Sequence, residues 1–149
     1  MKIILILFSA FIINFGAATA KAQAPTIPAR HKEPIKCIYG ILRSNNAVRS
    51  VDIYALDGFR SALEFNYVYA DGNVSTEDIL LSGTKKDGTT AYGLSSPIRQ
   101  SDQQQIAHLQ FLQPMLERFQ SACHLFPAFD NLIPQPPPRS KWQREDFSE

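Results

Sequence analysis

The apolar pattern of this chain predicts an α+β fold: a two-layer sandwich in which a four-stranded antiparallel meander carries an N-terminal helix and a kinked C-terminal helix on one face. Three observations point there. Phe59, Leu63, Phe65, Tyr67 and Tyr69 fall on alternate positions, with Ser61 the one small polar member of their row. A period of two sustained over residues 59–70, rich in aromatics, marks a strand with one buried face. The pairs Asp57-Gly58 and Asp71-Gly72 bracket that strand with residues suited to hairpin turns. Before and after the strand region, the apolar residues change to helical spacing.

The N-terminus reads as a signal peptide over residues 1–22. Lys2 supplies the positive start, residues 3–13 an apolar core, and Ala18-Thr19-Ala20 or Ala20-Lys21-Ala22 a small-residue cleavage site. Asn14 and Gly16 interrupt the apolar run before it could span a bilayer. Cleavage after Ala22 leaves 13 basic against 14 acidic side chains, a formal −1 with histidine neutral. So even a charge balance lacks the basic patch that phosphate backbones require, which excludes nucleic acid and stable membrane association as expected partners. The two cysteines, Cys37 and Cys123, lie near the two ends of the expected domain. In an exported chain an isolated pair predicts a disulfide, closing a loop long enough to contribute about 4 to 5 kcal/mol. The expected location is periplasmic or secreted.

Taken in order, residues 23–33 read as a flexible lead-in with two prolines and a positive cluster at Arg30, His31 and Lys32. A single α+β domain is expected over residues 34–133. Ile35, Ile38, Tyr39 and Leu42 stand at i, i+3, i+4 and i+7, which predicts a helix entered through Pro34 and ended by a left-handed Asn45 or Asn46. A strand over residues 36–42 is the rival reading of so short an isoleucine-rich run. Val51, Ile53 and Ala55 alternate and predict the first strand. A three-residue loop of Leu56, Asp57 and Gly58 would set Val51 opposite Leu63 and Ile53 opposite Ser61, keeping both apolar rows on one face, with Gly58 left-handed. The other face, with Asp52, Tyr54, Arg60, Glu64 and Asn66, is expected to meet water.

A third strand is expected over residues 74–81, of undecided register, and a fourth over residues 89–94 beyond the turn at Asp87-Gly88. Ser96 and Pro97 break the sheet, and Ser101 or Asp102 suits a helix cap. Ile106, Leu109, Leu112, Leu116, Phe119 and Cys123 then form one predicted apolar stripe, with Pro114 expected to kink or divide the helix. Leu125, Phe126, Phe129, Leu132 and Ile133 are expected to fold back as a short irregular or single-turn segment. Residues 134–149 are rich in proline and charge and are expected to be a disordered tail.

Chemistry-bearing patterns are sparse. His108 and His124, sixteen positions apart in one helical region, cannot share a metal on a straight helix and read as solvent-facing helix histidines; no metal site or cofactor is expected. No Gly-x-Ser-x-Gly or Ser-x-x-Lys occurs, and once the disulfide is drawn no thiol remains, so no catalytic residue is assigned. Asp52 and Glu64 could form an acid/base pair, but a solvated charge cross-pair, with Arg60 close enough to pair with either, is the better account. Two features suit binding: the sheet face bearing Tyr54, Arg60, Glu64 and Asn66, and the tail, where Pro134, Pro137 and Arg139 fit P-x-x-P-x-R ahead of Trp142. The expectation is an exported, non-catalytic binding or accessory module with a protein partner. The alternatives are a small extracytoplasmic enzyme with an acid/base site around Glu64, and a secreted effector or inhibitor of a host protein.

Overall fold

The computed structural model describes residues 24–95, 101–128 and 135–147. The expected signal peptide, the break at Ser96 and Pro97, and the residues Phe129, Leu132, Ile133 and Pro134 lie outside the described residues. Among the described residues the chain is α+β, with two α-helices and a mixed six-stranded sheet. Helix α1 spans Lys32–Arg43 and is followed by strands β1 (Val48–Ala55), β2 (Ser61–Val68), β3 (Val74–Thr84) and β4 (Thr90–Ser95). Helix α2 (Asp102–Ala122), β5 (Leu125–Pro127) and β6 (Gln143–Glu145) complete it. The spatial order is β5-β4-β3-β2-β1-β6, so the expected meander forms the middle of the sheet and not the whole of it. Strand β5 runs parallel to β4, and β6 antiparallel to β1.

Strand β2 is central, as its aromatic row implies. Ser61, Leu63, Phe65 and Tyr67 are completely buried, whereas Phe59, before the strand, is exposed. They share one core with Ile35, Ile38 and Leu42 of α1 and with Leu112, Met115 and Phe119 of α2. The strand register keeps the expected parity but is displaced by two residues: Val51 faces Phe65, Ile53 faces Leu63 and Ala55 faces Ser61. The loop is therefore Asp57, Gly58 and Phe59, closed by the Leu56 N–H donating to Arg60 O. Asp57 Oδ1 accepts from the backbone N–H groups of Phe59 and Arg60, and this side-chain turn replaces the left-handed glycine that was expected at Gly58. The left-handed glycine occurs instead in the next hairpin, at Gly72 (φ 85°), where the loop is Ala70, Asp71 and Gly72.

The first helical face and its entry were legible, but its C-terminal end was not. Pro34 lies in the first turn of α1, whereas Ser44 caps the helix in an ordinary right-handed conformation. Asn45 turns its side chain onto the Ala47 N–H. The lead-in is partly built into the fold: a 3-10 turn at Ala29–His31 buries His31 completely. Its Nε2 donates to Ser82 O (2.7 Å) and its Nδ1 meets Ser61 Oγ (2.8 Å), which explains a serine within the buried row of β2.

Helix α2 begins in a reciprocal capping box between Ser101 and Gln104 and runs unbroken through Pro114. Pro114 and Gln110 are both exposed, so the carbonyl freed by the missing N–H faces water and the helix need not divide. Its buried positions are His108, Leu112, Met115 and Phe119. Ile106 and Leu109, expected in the stripe, are 59% and 60% exposed. Each step of three residues falls about 60° short of a full turn, so two such steps carry the row off the core face. His108 takes the place in the core, donating Nε2–H to Glu77 Oε2 at 2.7 Å, which corrects the reading of His108 as solvent-facing.

Cys37 and Cys123 are bonded, 86 positions apart, tying α1 to the end of α2. Such a bond fits an oxidising, extracytoplasmic compartment. Among the described residues, no helix is long and apolar enough to cross a membrane. At the helix end, His124 (φ 53°) takes the left-handed conformation that turns the chain into β5. Thus Leu125 and Phe126 belong to a strand, not to the irregular segment expected of them.

Two outcomes follow. Replacing Cys37 and Cys123 by serine is expected to lower the unfolding free energy by about 4 to 5 kcal/mol, measured by urea denaturation with and without reductant. Burial holds the pKa values of His31 and His108 below 6.5, so both resist protonation when folded. Stability from these two groups is present above pH 6.5 and is lost as pH falls below it, because the unfolded chain takes up protons first. The parent's denaturation midpoint should therefore fall more between pH 7 and pH 5 than that of a variant with both histidines replaced by glutamine; equal changes in the two would show that the histidines do not set the slope.

Candidate functional site

The register that buries Phe65 also fixes what stands on the opposite face. Asp52 of β1 lies directly opposite Glu64 of β2, and Glu64 directly opposite Asp78 of β3. Three carboxylates therefore form a row across three strands, perpendicular to the chain. Like charges directly opposite one another destabilise a sheet, so the row needs cations. They come from the C-terminal segment. Arg144 Nη2 meets Asp52 Oδ1 at 2.6 Å, Arg139 Nη1 donates to Asp78 Oδ2 at 2.9 Å, and Arg139 Nη2 donates to Glu64 Oε2.

The tail is thus not the disordered appendage that its composition suggests. A 3-10 turn at Arg139–Lys141 leads into β6, which pairs with β1 through Ile53–Glu145, Tyr54–Arg144 and Ala55–Gln143. Trp142 packs on a small apolar patch of Leu56, Ala62 and Leu80 together with Tyr54. Its Nε1 donates to Pro137 O at 2.9 Å, and its ring lies 4.6 Å below the Arg139 guanidinium. Arg60, held by Asp57, reaches Gln135 O at 2.9 Å. Phe147 returns to the main core against Tyr39. Composition suggested disorder because it counts charges without their partners, and the partners stand on β1, β2 and β3. The face expected to meet water is instead covered over its lower half.

Most residues singled out from sequence converge here. Tyr54, Arg60, Glu64, Pro137, Arg139 and Trp142 form one connected arrangement. Asn66 lies farther along β2, bonded to Ser50 and Thr76, and belongs to a separate polar patch. Asp78 and Arg144 were missed. The register of β3 was undecided from sequence, and without it nothing placed Asp78 beside Glu64. The available signal was the alternation of Thr76, Asp78 and Leu80 against Glu77 and Ile79, once the parity of β2 was known.

Asp78 is the most perturbed group. It is 3% exposed, and its Oδ1 is buried without a hydrogen-bond partner. Burial first, and then the Glu64 carboxyl beside it, push its pKa up to about 7, against the opposing pull of Arg139. Tyr54 is also raised, by burial and then by Glu64 and Asp52. Among the described residues no group of three or more His, Cys, Asp or Glu side chains is arranged to hold a metal ion; the cations that meet the row are the guanidinium groups of Arg139 and Arg144.

The helix side carries a second feature. Tyr67 stacks on Phe111 with ring centroids 4.4 Å apart and its hydroxyl meets that of Tyr69 at 2.9 Å. Beside them a groove of about 900 Å³ is lined by Val68, Tyr69, Gln104, Ala107, Gln110 and Phe111 among others. The Glu77–His108 pair lies behind this wall and does not line the groove. Compared with known proteins, the chain matches no family model, no curated protein and no solved structure.

Arg139→Ala is expected to lower stability by about 1 to 2 kcal/mol, less than the loss from a fully buried pair because the guanidinium is half in water. It should also raise the Asp78 pKa above its present value, read by carbon-13 carboxyl titration; an unmoved Asp78 would disconnect the two. Because the folded pKa of Asp78 lies above the ordinary aspartate value of 3.8, its contribution is complete below about pH 4 and is lost as pH rises to about 7. Asp78→Asn should therefore gain stability more steeply than the parent between pH 4 and pH 7, when urea midpoints are compared.

Proposed function

We propose that this chain is an exported, non-catalytic binding or accessory module, acting through protein–protein contacts in the periplasm or outside the cell. One observation carries the reading. An arginine, a tryptophan and a tyrosine meet two carboxylates on a sheet face whose outer edge accepts an extended segment. Arginine and aromatic side chains in a partly desolvated polar frame are the chemistry of protein interfaces. Strand addition at β1 is a recognised way for one chain to read another. The leader sequence and the disulfide support the extracytoplasmic setting.

The raised Asp78 beside Glu64 favours a second reading, an extracytoplasmic enzyme with an acid/base pair at Glu64. It is the weaker one. Asp78 and Glu64 are close enough to hydrogen-bond through a shared proton, whereas glycoside chemistry keeps its two carboxyl groups about 5 Å or more apart. Arg139 also occupies the space a substrate would need. A host-directed effector differs from the first reading only in the identity of the partner.

Affinity purification of the mature chain, with and without residues 134–149, from envelope and from host extract tests the proposal. The expected outcome is a protein partner whose recovery changes when the tail is removed. Recovery indistinguishable from a bead control for both forms, or a partner indifferent to the tail, would count against it.

A further inference from the structure

We propose that the acidic row Asp52–Glu64–Asp78 with the β1 edge is a docking site for an extended, arginine-bearing segment of another protein, and that the chain's own tail occupies it as a displaceable stand-in. The inference rests on the binding-module reading and names the site and partner chemistry for it.

The receptor half is built into the meander. Three carboxylates are held in line by strand pairing alone, and one of them, Asp78, is buried with an oxygen that accepts no hydrogen bond. An acidic row of this kind is satisfied by a guanidinium fork spanning two carboxylates, as Arg139 now spans Glu64 and Asp78. Beside the row lies the apolar patch of Leu56, Ala62 and Leu80, and beyond it the β1 edge. The ligand that fits carries an arginine for Glu64 and Asp78, an aromatic or proline face for the patch, and a strand-forming stretch with a second cation for Asp52. Residues 135–147 meet each requirement.

The tail is anchored by Trp142 and Phe147, while its polar grip is short and partly open to water. Strand β6 is three residues long, and the Arg139 and Arg144 side chains remain 46% and 66% exposed. Exposed ion pairs are weak and screened by salt, so a competing segment that brings a longer strand to β1 displaces this one. Removal of the tail leaves an open strand edge and a buried carboxylate without its cation, a surface that demands an occupant.

The test uses the full-length mature chain and, as probe, a fluorescent synthetic peptide of residues 135–147. Arg139→Ala/Arg144→Ala loosens the tail, and the variant is expected to bind the peptide about tenfold more tightly than the parent, since a stand-in occupying nine molecules in ten reduces apparent affinity by that factor. Adding Glu64→Gln and Asp78→Asn to the variant should abolish binding. Equal affinity in parent and variant, or binding that survives loss of the carboxylates, would overturn the proposal. A measurement on the parent alone guards against a misfolded variant. Trp142 is the single tryptophan, so excess unlabelled peptide should shift its indole N–H signal in nitrogen-15 spectra as the Pro137 bond is lost. An unmoved signal at millimolar peptide would reject displacement. A concentration-dependent dimer of the parent that exchanges tails would also overturn it, assigning the face to a second copy of this chain. Peptide binding without any partner in the affinity purification would fault the binding-module reading alone; a recovered partner without peptide binding would fault this inference alone.

Discussion

Register is the constraint on which the rest of this structure depends. Side chains alternate along β2, and Leu63, Phe65 and Tyr67 must go under the helices if the domain is to have a core. Pairing of β1 and β3 with that strand brings Ile53 and Ile79 to Leu63 on the core side. The same pairing forces Asp52, Glu64 and Asp78 into line on the other side. Burial of the aromatic row and assembly of the acidic row are two faces of one alignment, and a slip by one residue would destroy both.

The two faces are finished differently. On one, hydrophobic burial does the work: α1 and α2 close over the aromatics, the disulfide ties their ends, and both buried histidines find a polar partner. His31 meets Ser61 and Ser82, and His108 meets Glu77. On the other face, charge neutralisation comes first. Repulsion along the acidic row is relieved by Arg139 and Arg144, and the desolvation of Asp78 is met partly by an arginine and partly by a proton. Trp142 adds apolar contact to what would otherwise be a strap of ion pairs. The result is a sheet with one side closed by apolar burial and a disulfide, and the other covered by a segment held through salt-sensitive ion pairs.

Much of the fold was legible because it follows from local periodicity. The alternation of Leu63, Phe65 and Tyr67, the helical face of Ile35, Ile38 and Leu42, and the cap at Ser101 are each visible within one turn or one strand. The errors arose where a local rule was outvoted. Gly58 suggested a left-handed turn, but Asp57 could close the loop with its own carboxylate. Pro114 suggested a break, but its freed carbonyl faced water. Ile106 and Leu109 suggested a core stripe, but the phase of α2 is set from its far end, where Phe119 and Cys123 are anchored.

The candidate site shows the division most plainly. Tyr54, Glu64, Arg139 and Trp142 could each be singled out from sequence as residues that suit recognition, because side-chain chemistry is local. That they touch one another could not, because β1 and the tail are separated by most of the chain and joined only by tertiary pairing. By itself the sequence determined the two helices, the four meander strands, the parity of the central pair and the bonded cysteines, all of which follow from short-range pattern and residue type. Tertiary structure alone decided the register of β3, the burial of His31 and His108, and the docking of the tail, since each depends on the energy of contacts between segments that no local period relates.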